Sequence, residues 1–315
     1  MIIKREKRMC TITIVTPTYN RKSELHNLYD SLLKQSCKDF KWLIIDDGSQ
    51  DGTENYLKAI VEEKKLDIKY VKRENGGKHR ALNQAFNMIN TELTFIVDSD
   101  DILPVNSIET ILIYHGKYMN YNDNAMRENK RQICGYSFLR CHEDGTVNTA
   151  YFPQDELIDS YLNVRINGNI GGDKAEVFYT DVLKKYPFKE YDNEKFMPED
   201  AVWMQISDEY DMVHINQNIY TCEYLEGGLT RNGRKMKIKS PRGMMFRSKV
   251  YIENPNVNLK TRIKMIVLFI IYKKFNISNE DVKLADDMLL NKLLYIFLYY
   301  PSIIVFHNWK KELQA

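Results

Sequence analysis

Residues 11–36 read TITIVTPTYNRKSELHNLYDSLLKQS, and this stretch sets the fold class. The run TITIV at 11–15 is compact and β-branched, which is typical of a buried strand. A polar turn, TPTYNR, follows it, and apolar side chains then recur at helical spacing from Leu25 through Leu28 to Leu32. A strand, a polar turn and an amphipathic helix in this order predict one unit of an α/β protein.

The same unit recurs over the rest of the first hundred residues. Further apolar strands, WLII at 42–45, IKYV at 68–71 and LTFIV at 93–97, alternate with amphipathic segments. This alternation predicts a mostly parallel sheet that is covered by helices on both faces. The polar stretches TPTYN, DDGS and DSDD each follow a strand directly. Because ligands of such sheets bind at the carboxyl ends of the strands, the three stretches predict a single site.

The composition narrows the class of protein. The chain has 315 residues, with 45 Lys and Arg against 43 Asp and Glu, and so weak a basic bias argues against a nucleic-acid partner. The five cysteines form no C-x-x-C pair, which argues against a zinc or redox site and favours a reducing cytoplasm. We find neither the apolar stretch of a signal peptide nor an apolar run of about 20 residues, so we expect no membrane-spanning helix.

The stretch TFIVDSDD at 94–101 indicates a cation site. Asp98 and Asp100 lie two residues apart directly after a strand, and an extended backbone points both side chains the same way. Carboxylate oxygens suit a hard divalent cation such as Mg²⁺ or Mn²⁺, which commonly binds a substrate phosphate as well. The alternative is a capped turn, since Asp and Ser are common where strands end. The strand context and the two other polar clusters favour the cation.

Four motifs together resemble the nucleotide-binding half of glycosyltransferase family 2. They are TITIVTPTYNRKSELHNLYDSLLKQS, WLIIDDGSQDGT, NGGKHRALNQAF and FIVDSDD, in that order, over about residues 10–105. The segments GGDKAEVF, KFMPEDAVW and YLEGGLTRN extend a looser match to about residue 235, similar to bacterial capsule, teichoic-acid or other surface-polysaccharide transferases. The resemblance implies the GT-A fold, a Rossmann-like mostly parallel sheet flanked by helices, and inversion of the anomeric centre.

The resemblance also implies a binding site for a UDP-sugar and a cation. The positions that it assigns to the nucleotide sugar are Thr16, Pro17, Thr18, Tyr19, Arg21, Asp46, Asp47, Lys78, Asp98, Ser99, Gly172, Asp173 and Arg231. The first loop would line the base and ribose, and one aspartate after the second strand would accept the uracil N3 hydrogen. Lys78 would hold the nucleotide or diphosphate. Asp100, with Asp98, would bind Mn²⁺ or Mg²⁺, and the histidine that many relatives add as a ligand has only His214 as a nearby counterpart here.

A Pro-Glu-Asp sequence stands where the family places its catalytic base. Glu199 or Asp200 would remove the proton of the acceptor hydroxyl, and the sequence does not choose between them. The alternative interpretation is an ordinary helix start, because Pro at the first position and acids in the first turn are common there.

We predict two regions, a GT-A catalytic domain over 1–240 and a C-terminal helical region over 241–315. The basic, glycine-containing segment 227–248 is expected to be a mobile loop. In the tail, MIVLFIIY at 265–272 and LLYIFLYYPSIIVF at 293–306 are apolar and flanked by lysines, and the second is interrupted by proline. Two interpretations stay open, helices at a membrane surface or a bundle packed on itself, on the catalytic domain or on another subunit.

The sequence and its family resemblance therefore predict a cytoplasmic, metal-dependent inverting glycosyltransferase, and peripheral contact with the inner face of the membrane is one of the two open interpretations of its tail. It would move a sugar from a UDP-sugar to a hydroxyl of a saccharide or lipid-linked acceptor in bacterial cell-surface polysaccharide synthesis. A first alternative is a catalytically silent module that binds nucleotide sugar or assembles enzymes at the membrane. A second is a sugar-nucleotide nucleotidyltransferase, which should carry a glycine- and basic-rich phosphate loop after the first strand, where this chain has TPTYNR.

Overall fold

The computed structural model describes residues 11–222, 229–278, 282–285 and 289–314. The strands are β1 Ile12–Thr18, β2 Phe40–Asp46, β3 Ile68–Lys72, β4 Leu93–Ile96, β5 Ile133–Cys141, β6 Leu157–Asp159, β7 Ala175–Tyr179 and β8 Asp211–Thr221. The helices are α1 Lys22–Leu33, α2 Thr53–Glu62, α3 Lys78–Phe86, α4 Ser107–Tyr118, α5 Tyr121–Arg127, α6 Thr180–Lys185, α7 Asp200–Glu209, α8 Leu229–Ile238, α9 Pro241–Glu253, α10 Leu259–Phe275 and α11 Leu289–Gln314. A π-helical segment spans Leu162–Asn167.

The strands form one sheet in the order β3-β2-β1-β4-β7-β5-β8-β6. The first four of these are parallel neighbours, and β7 is antiparallel to both β4 and β5. The predicted α/β class with a mostly parallel sheet is therefore confirmed. The antiparallel β7 matters for the site, because it begins at the edge where β1, β2 and β4 end.

Apolar clusters on both faces hold the sheet. One face packs against α1, α2 and α4 and contains Leu28, Leu57 and Ile111. The other packs against α3, α6 and α7 and contains Leu82 and Trp203. Each fully buried side chain of this size contributes about 1.5–3 kcal/mol, so the two layers fix where the loops at the sheet edge lie.

The segment 227–248 was predicted to be a loop, and its described part is helical instead. In α9 the glycine at 243 serves close packing, because a Cβ there would lie 2.7 Å from the Phe196 carbonyl oxygen. One of its basic residues, Arg242, is not solvated either: Arg242 Nε lies 3.2 Å from Glu194 Oε1, and both side chains are more than nine-tenths buried. The prediction from composition was wrong here, because Gly243 packs against Phe196 and Arg242 pairs with Glu194.

The interruption expected at Pro301 is also wrong. The helix α11 runs through Pro301 without a break. A proline inside a helix leaves the carbonyl four residues before it without its usual donor, at a cost that neighbouring contacts can offset. Ser302 Oγ donates to the Leu298 carbonyl oxygen at 2.6 Å in the same turn. Among the described residues, Leu289–Lys311 is long and apolar enough to cross a membrane, with a mean hydropathy of 1.6.

The C-terminal helices pack on α7 through a third apolar cluster. It joins Met204 of α7 to Met245 of α9 and Phe269 of α10. The aromatic rings of Tyr272 in α10 and Trp309 in α11 lie 6.0 Å apart, so α11 covers one side of α10. The division of the chain at residue 240 stays a prediction.

Candidate active site

At the end of β1 and in the loop after it, the Thr18 hydroxyl and the Tyr19 ring are available to a ligand. Thr18 is buried, and its Oγ1 has no hydrogen-bond partner among the described residues. Thr16 is used by the fold, because its Oγ1 accepts a hydrogen bond from Trp42 Nε1 at 2.9 Å. Pro17 lies within β1, and the Tyr19 side chain is 49% exposed. An open aromatic ring beside an unsatisfied hydroxyl suits stacking and hydrogen bonding with a nucleoside.

The two aspartates at the end of β2 differ in how fully the fold uses them. Each oxygen of Asp46 accepts one hydrogen bond, from the Ser49 backbone N–H at 2.8 Å and from the Tyr70 hydroxyl at 3.0 Å. Asp47 accepts hydrogen bonds from four residues of the next loop, Arg73, Asn75, Gly76 and Gly77. A carboxylate has about four acceptor positions, so Asp46 keeps capacity for a ligand donor. Asp47 is committed to the loop that leads into α3.

Lys78, the first residue of α3, joins two of the predicted site carboxylates. Its Nζ lies 2.5 Å from Asp98 Oδ1 and 2.7 Å from Glu199 Oε1. This approach depends on Gly77, where φ is +96° and a Cβ would lie 2.0 Å from the Lys195 carbonyl oxygen. Burial by itself lowers the pKa of Lys78, but Asp98 and Glu199 outweigh it and raise that pKa. Burial likewise raises the pKa of Asp98, and Lys78 outweighs it and lowers that pKa.

The other residues of the aspartate cluster have different surroundings. Asp100 is the exposed member, and Arg21 Nη2 lies 3.7 Å from its Oδ2. Ser99 is buried between the two aspartates. Asp101 is tied into the fold, because its Oδ2 accepts a hydrogen bond from the Tyr220 hydroxyl at 2.7 Å. Burial raises the pKa of Asp101 to about 7. Asp98 and Asp100 are therefore the carboxylates that remain for a cation.

Asp200 begins α7 and is held by α9. Arg247 Nε lies 2.8 Å and 2.7 Å from its two oxygens, and Arg247 Nη2 lies 2.5 Å from Oδ2. The Tyr251 hydroxyl donates to Oδ2 at 2.9 Å. Burial raises the pKa of Asp200 by itself, but Arg247 outweighs this and lowers it. The neighbouring Glu199 carboxylate is ion-paired with Lys78 alone within the described residues.

The loop before β7 brings Gly172 and Asp173 to the same sheet edge. Arg165 Nη2 donates to the Gly172 carbonyl oxygen at 2.5 Å, and Lys174 Nζ donates to Thr149 Oγ1. Burial lowers the pKa of Lys174 to about 8. Asp173 itself is exposed. The loop is thus anchored at both sides of an exposed aspartate.

Three residues that contact the loops of this site were not predicted from the sequence: Arg140, Arg165 and Tyr220. The Tyr220 hydroxyl accepts a hydrogen bond from the Asp98 backbone N–H at 2.9 Å. The Arg140 guanidinium lies 4.2 Å from the centre of the Tyr220 ring, and its Nε donates to the Lys174 carbonyl oxygen at 2.9 Å. A charged residue near the end of the apolar run ICGYSFLR was a usable signal for Arg140, whereas Tyr220 carried none.

Two further positions named from the sequence are Arg231 and His214. Arg231 falls in α8, but the side chains of residues 229–232 lie outside the described part. His214 is a core residue of β8, with its ring 4.8 Å from Phe152 and Nε2 3.1 Å from the Asp159 carbonyl oxygen. Burial lowers its pKa to about 4. No group of three or more His, Cys, Asp or Glu side chains placed for a metal occurs in the described ranges.

Comparisons with known proteins match the first part of the chain. Residues 13–125 match the family model of glycosyl transferase family 2. GlyG of Streptococcus pneumoniae serotype 4, named a glycosyltransferase, is 30% identical over 122 residues, which are 36% of this chain and 40% of that protein. TarP of Staphylococcus aureus N315, named a poly(ribitol-phosphate) beta-N-acetylglucosaminyltransferase, is 34% identical over 115 residues, 36% of this chain and 35% of that protein. The chain thus spans less than half the length of these curated relatives.

Solved structures resemble nearly the whole chain. S. aureus TarS 1–349 in complex with UDP-GlcNAc has a TM-score of 0.60 at 18% identity, over 93% of this chain and 80% of that one. The mannosyltransferase PcManGT from Pyrobaculum calidifontis, in complex with GDP-Man and Mn²⁺, has a TM-score of 0.54 at 15% identity, over 95% and 84%. At these identities the likeness shows the fold alone. Residues 13–125 therefore match glycosyltransferase family 2, and the chain has the GT-A fold of these solved structures.

Proposed function

We propose that this chain transfers a sugar from a UDP-sugar to a hydroxyl group of an acceptor. The observation that carries the proposal is the bridge in which Lys78 contacts both Asp98 and Glu199. It brings a strand-end aspartate and a basic residue, suited to a diphosphate, beside a carboxylate that can accept a proton. The glycosyltransferase names of GlyG and TarP support the reaction class.

A UDP-sugar is the proposed donor. The unsatisfied Thr18 hydroxyl, the open Tyr19 ring and the spare acceptor capacity of Asp46 support a nucleoside at the first two loops. Lys78 and the N-terminus of α3 would meet the diphosphate, because an ammonium and free backbone N–H groups both attract phosphate oxygens. The related TarS structure contains UDP-GlcNAc.

Asp98 and Asp100 would hold Mn²⁺ or Mg²⁺ in this proposal. Two carboxylates at a strand end fit a hard cation, and Asp98 already binds a cationic group, the Lys78 ammonium. When bound, such a cation neutralises charge that develops on the diphosphate leaving group. The related PcManGT structure contains Mn²⁺.

Glu199 is the proposed base. It would take the proton of the acceptor hydroxyl while that oxygen bonds to the anomeric carbon and the bond from that carbon to the diphosphate oxygen breaks. Attack opposite the leaving group inverts the anomeric centre. The three hydrogen bonds from Arg247 and the one from Tyr251 leave Asp200 a poor proton acceptor. A donor diphosphate would compete for Lys78 and so free Glu199 for the proton.

Measurement of UDP release tests this function. The protein is incubated with Mn²⁺, with UDP-GlcNAc, UDP-glucose or UDP-galactose, and with a saccharide or lipid-linked acceptor preparation. We expect release that is lost in Glu199→Gln and kept in Glu62→Gln, an exposed acid on α2. Donor binding without release would favour the silent module. Pyrophosphate release from UTP and a sugar phosphate would favour the nucleotidyltransferase.

We further propose that the protein acts in the cytoplasm, at the inner face of the membrane, in surface-polysaccharide synthesis. The described residues of α11 leave an apolar stripe, with each side chain 45–78% exposed: Leu289, Leu290, Leu293, Ile296, Phe297, Tyr300 and Ile304. Segment 289–311 contains no Asp or Glu, and Lys292, Lys310 and Lys311 are exposed beside the stripe. Exposed apolar and aromatic side chains edged by lysine suit an interface with anionic lipid.

Vesicle sedimentation tests this location. We expect the protein to pellet with vesicles that contain phosphatidylglycerol and to bind pure phosphatidylcholine vesicles less. The double substitution Leu293→Glu with Phe297→Glu should abolish pelleting, while the exposed residue Ile113 on α4, changed to Glu, should not affect it. Unchanged pelleting of the double variant would refute the surface assignment. Dimerisation that disappears in the double variant, without vesicle binding by the original protein, would assign the stripe to a second copy.

A further inference from the structure

Glu176 lies on β7, an interior strand of the sheet, and the proposed sugar transfer assigns it no role. It pairs in register with Ser137 on β5, and its neighbour Val177 pairs with Phe95 on β4, the strand that leads to Asp98. Its side chain is only partly buried. Within the described residues, no hydrogen bond or ion pair involves its carboxylate. A partly exposed carboxylate without a protein partner is available to accept hydrogen bonds from a ligand.

Arg165, in the π-helical segment Leu162–Asn167, has guanidinium N–H groups that lack an acceptor among the described residues. Its Nη2 is used, because it donates to the Gly172 carbonyl oxygen at 2.5 Å. Its Nε and Nη1 are buried and have no hydrogen-bond partner among the described residues. Gly172 lies four residues before Glu176 in the same loop and strand. This anchor therefore holds the guanidinium close to the start of β7.

The charges around Glu176 favour a neutral ligand. Arg165 and Arg140 lower the pKa of Glu176, but burial is the larger effect and, with Glu199 and Asp173, raises that pKa. Because Arg165 and Arg140 already face three acids, this position lacks the excess of positive charge that favours a phosphate. A pair of sugar hydroxyls suits both the Glu176 carboxylate and the Arg165 guanidinium, because a hydroxyl can donate to a carboxylate and accept from a guanidinium.

We propose that Glu176 and Arg165 form a recognition pair for hydroxyl groups of the donor sugar. One hydroxyl donates to the Glu176 carboxylate, and the same or a neighbouring hydroxyl oxygen accepts from Arg165 Nε or Nη1. The donor sugar, rather than the acceptor, is assigned because β7 lies directly beside β4, whose end carries the aspartates proposed for the diphosphate. The inference rests on the proposed function and adds the residues that select the sugar.

Calorimetric titration with UDP and with UDP-sugars tests this pair. The original protein, Glu176→Gln and Arg165→Lys are titrated in Mn²⁺ buffer with UDP and with UDP-GlcNAc, UDP-glucose and UDP-galactose. We expect each substitution to weaken the tightest UDP-sugar by about tenfold, the scale of one hydrogen bond to a charged group, and UDP by less than about twofold. Because Glu176 has no protein partner in the described residues, Glu176→Gln should keep the unfolding temperature.

Matched controls and a double variant make the test decisive. Glu62→Gln and Arg127→Lys repeat the same chemical changes at exposed positions and should leave all affinities unchanged. The double variant Glu176→Gln with Arg165→Lys should lose less than the product of the two single losses, since both groups bind one sugar. Unchanged UDP-sugar affinity, an equal loss for UDP, or an effect on acceptor KM alone would overturn the pair. Failure of the original protein to bind UDP would instead refute the proposed function itself.

Discussion

Substitution of two adjacent acids should separate catalysis from stability. We expect Glu199→Gln to abolish turnover in a stable protein and Asp200→Asn to destabilise a protein that keeps its base. The reason lies in their partners. Glu199 meets the Lys78 ammonium, and Asp200 is held by Arg247 and Tyr251 of α9.

The expected magnitudes follow from these contacts. Loss of a general base slows the chemical step by about 10²–10⁴-fold. Glu199 and Lys78 are about a third or more exposed, so loss of their ion pair should change the free energy of unfolding by at most about 1 kcal/mol. The Asp200 and Arg247 side chains are only 24% and 19% exposed. Removing one partner of a fully buried pair costs about 3–5 kcal/mol, and partial screening reduces this to about 1–3 kcal/mol.

Three measurements on each variant check the assignment: UDP release, the dissociation constant for UDP, and urea unfolding. UDP affinity should stay unchanged in Asp200→Asn and should not fall in Glu199→Gln, because the diphosphate is proposed to compete with Glu199 for Lys78. Normal turnover in Glu199→Gln, with a large loss in a fully stable Asp200→Asn, would reverse the two roles and refute the reasoning from partners.

Three further outcomes are expected. Asp100→Asn should abolish turnover with little loss of stability, because Asp100 is exposed, and UDP release with thermal unfolding would check it; near-normal rates would remove the cation from this position. Gly243→Ala should destabilise the protein by about 1–3 kcal/mol in urea unfolding, because its Cβ would meet the Phe196 carbonyl oxygen at 2.7 Å, and an unchanged midpoint would contradict the close packing. Burial lowers the pKa of Lys174 to about 8 from 10.5, so the unfolded state holds more protons between these pH values and stability should rise with pH there. Lys174→Met should lack this rise in urea titrations from pH 7.5 to 10, and an identical slope in both proteins would count against the shift.

Much of the architecture was predictable because its signals are local. The strands at 11–15, 42–45 and 93–97 and the helices between them follow from the spacing of apolar residues. The segments 227–248 and 293–306 were misjudged for a shared reason. Glycine and proline were interpreted by their usual local effect, whereas Gly243 lies inside α9 against Phe196 and Pro301 lies inside α11.

The candidate site was predictable as a set of loops and not as a set of contacts. The polar stretches after β1, β2 and β4 do meet at one edge of the sheet. The hydrogen bonds of the aspartate stretch with Tyr220, and the contact of Tyr220 with Arg140, were not foreseen, because these two residues belong to strands whose order in the sheet differs from their order in the chain. No spacing rule relates such residues.

By itself the sequence determined the alternation of strand and helix, because the period of apolar side chains depends on neighbours along the chain. That alternation also determined the edge of the sheet at which the polar loops lie. Only the tertiary structure decided which cationic side chain each of the two adjacent acids meets. Arg247 reaches Asp200 and Lys78 reaches Glu199 only when α9 and α3 pack beside α7. The chemistry of a carboxylate depends on the charges next to it in space, and distance along the chain does not report them.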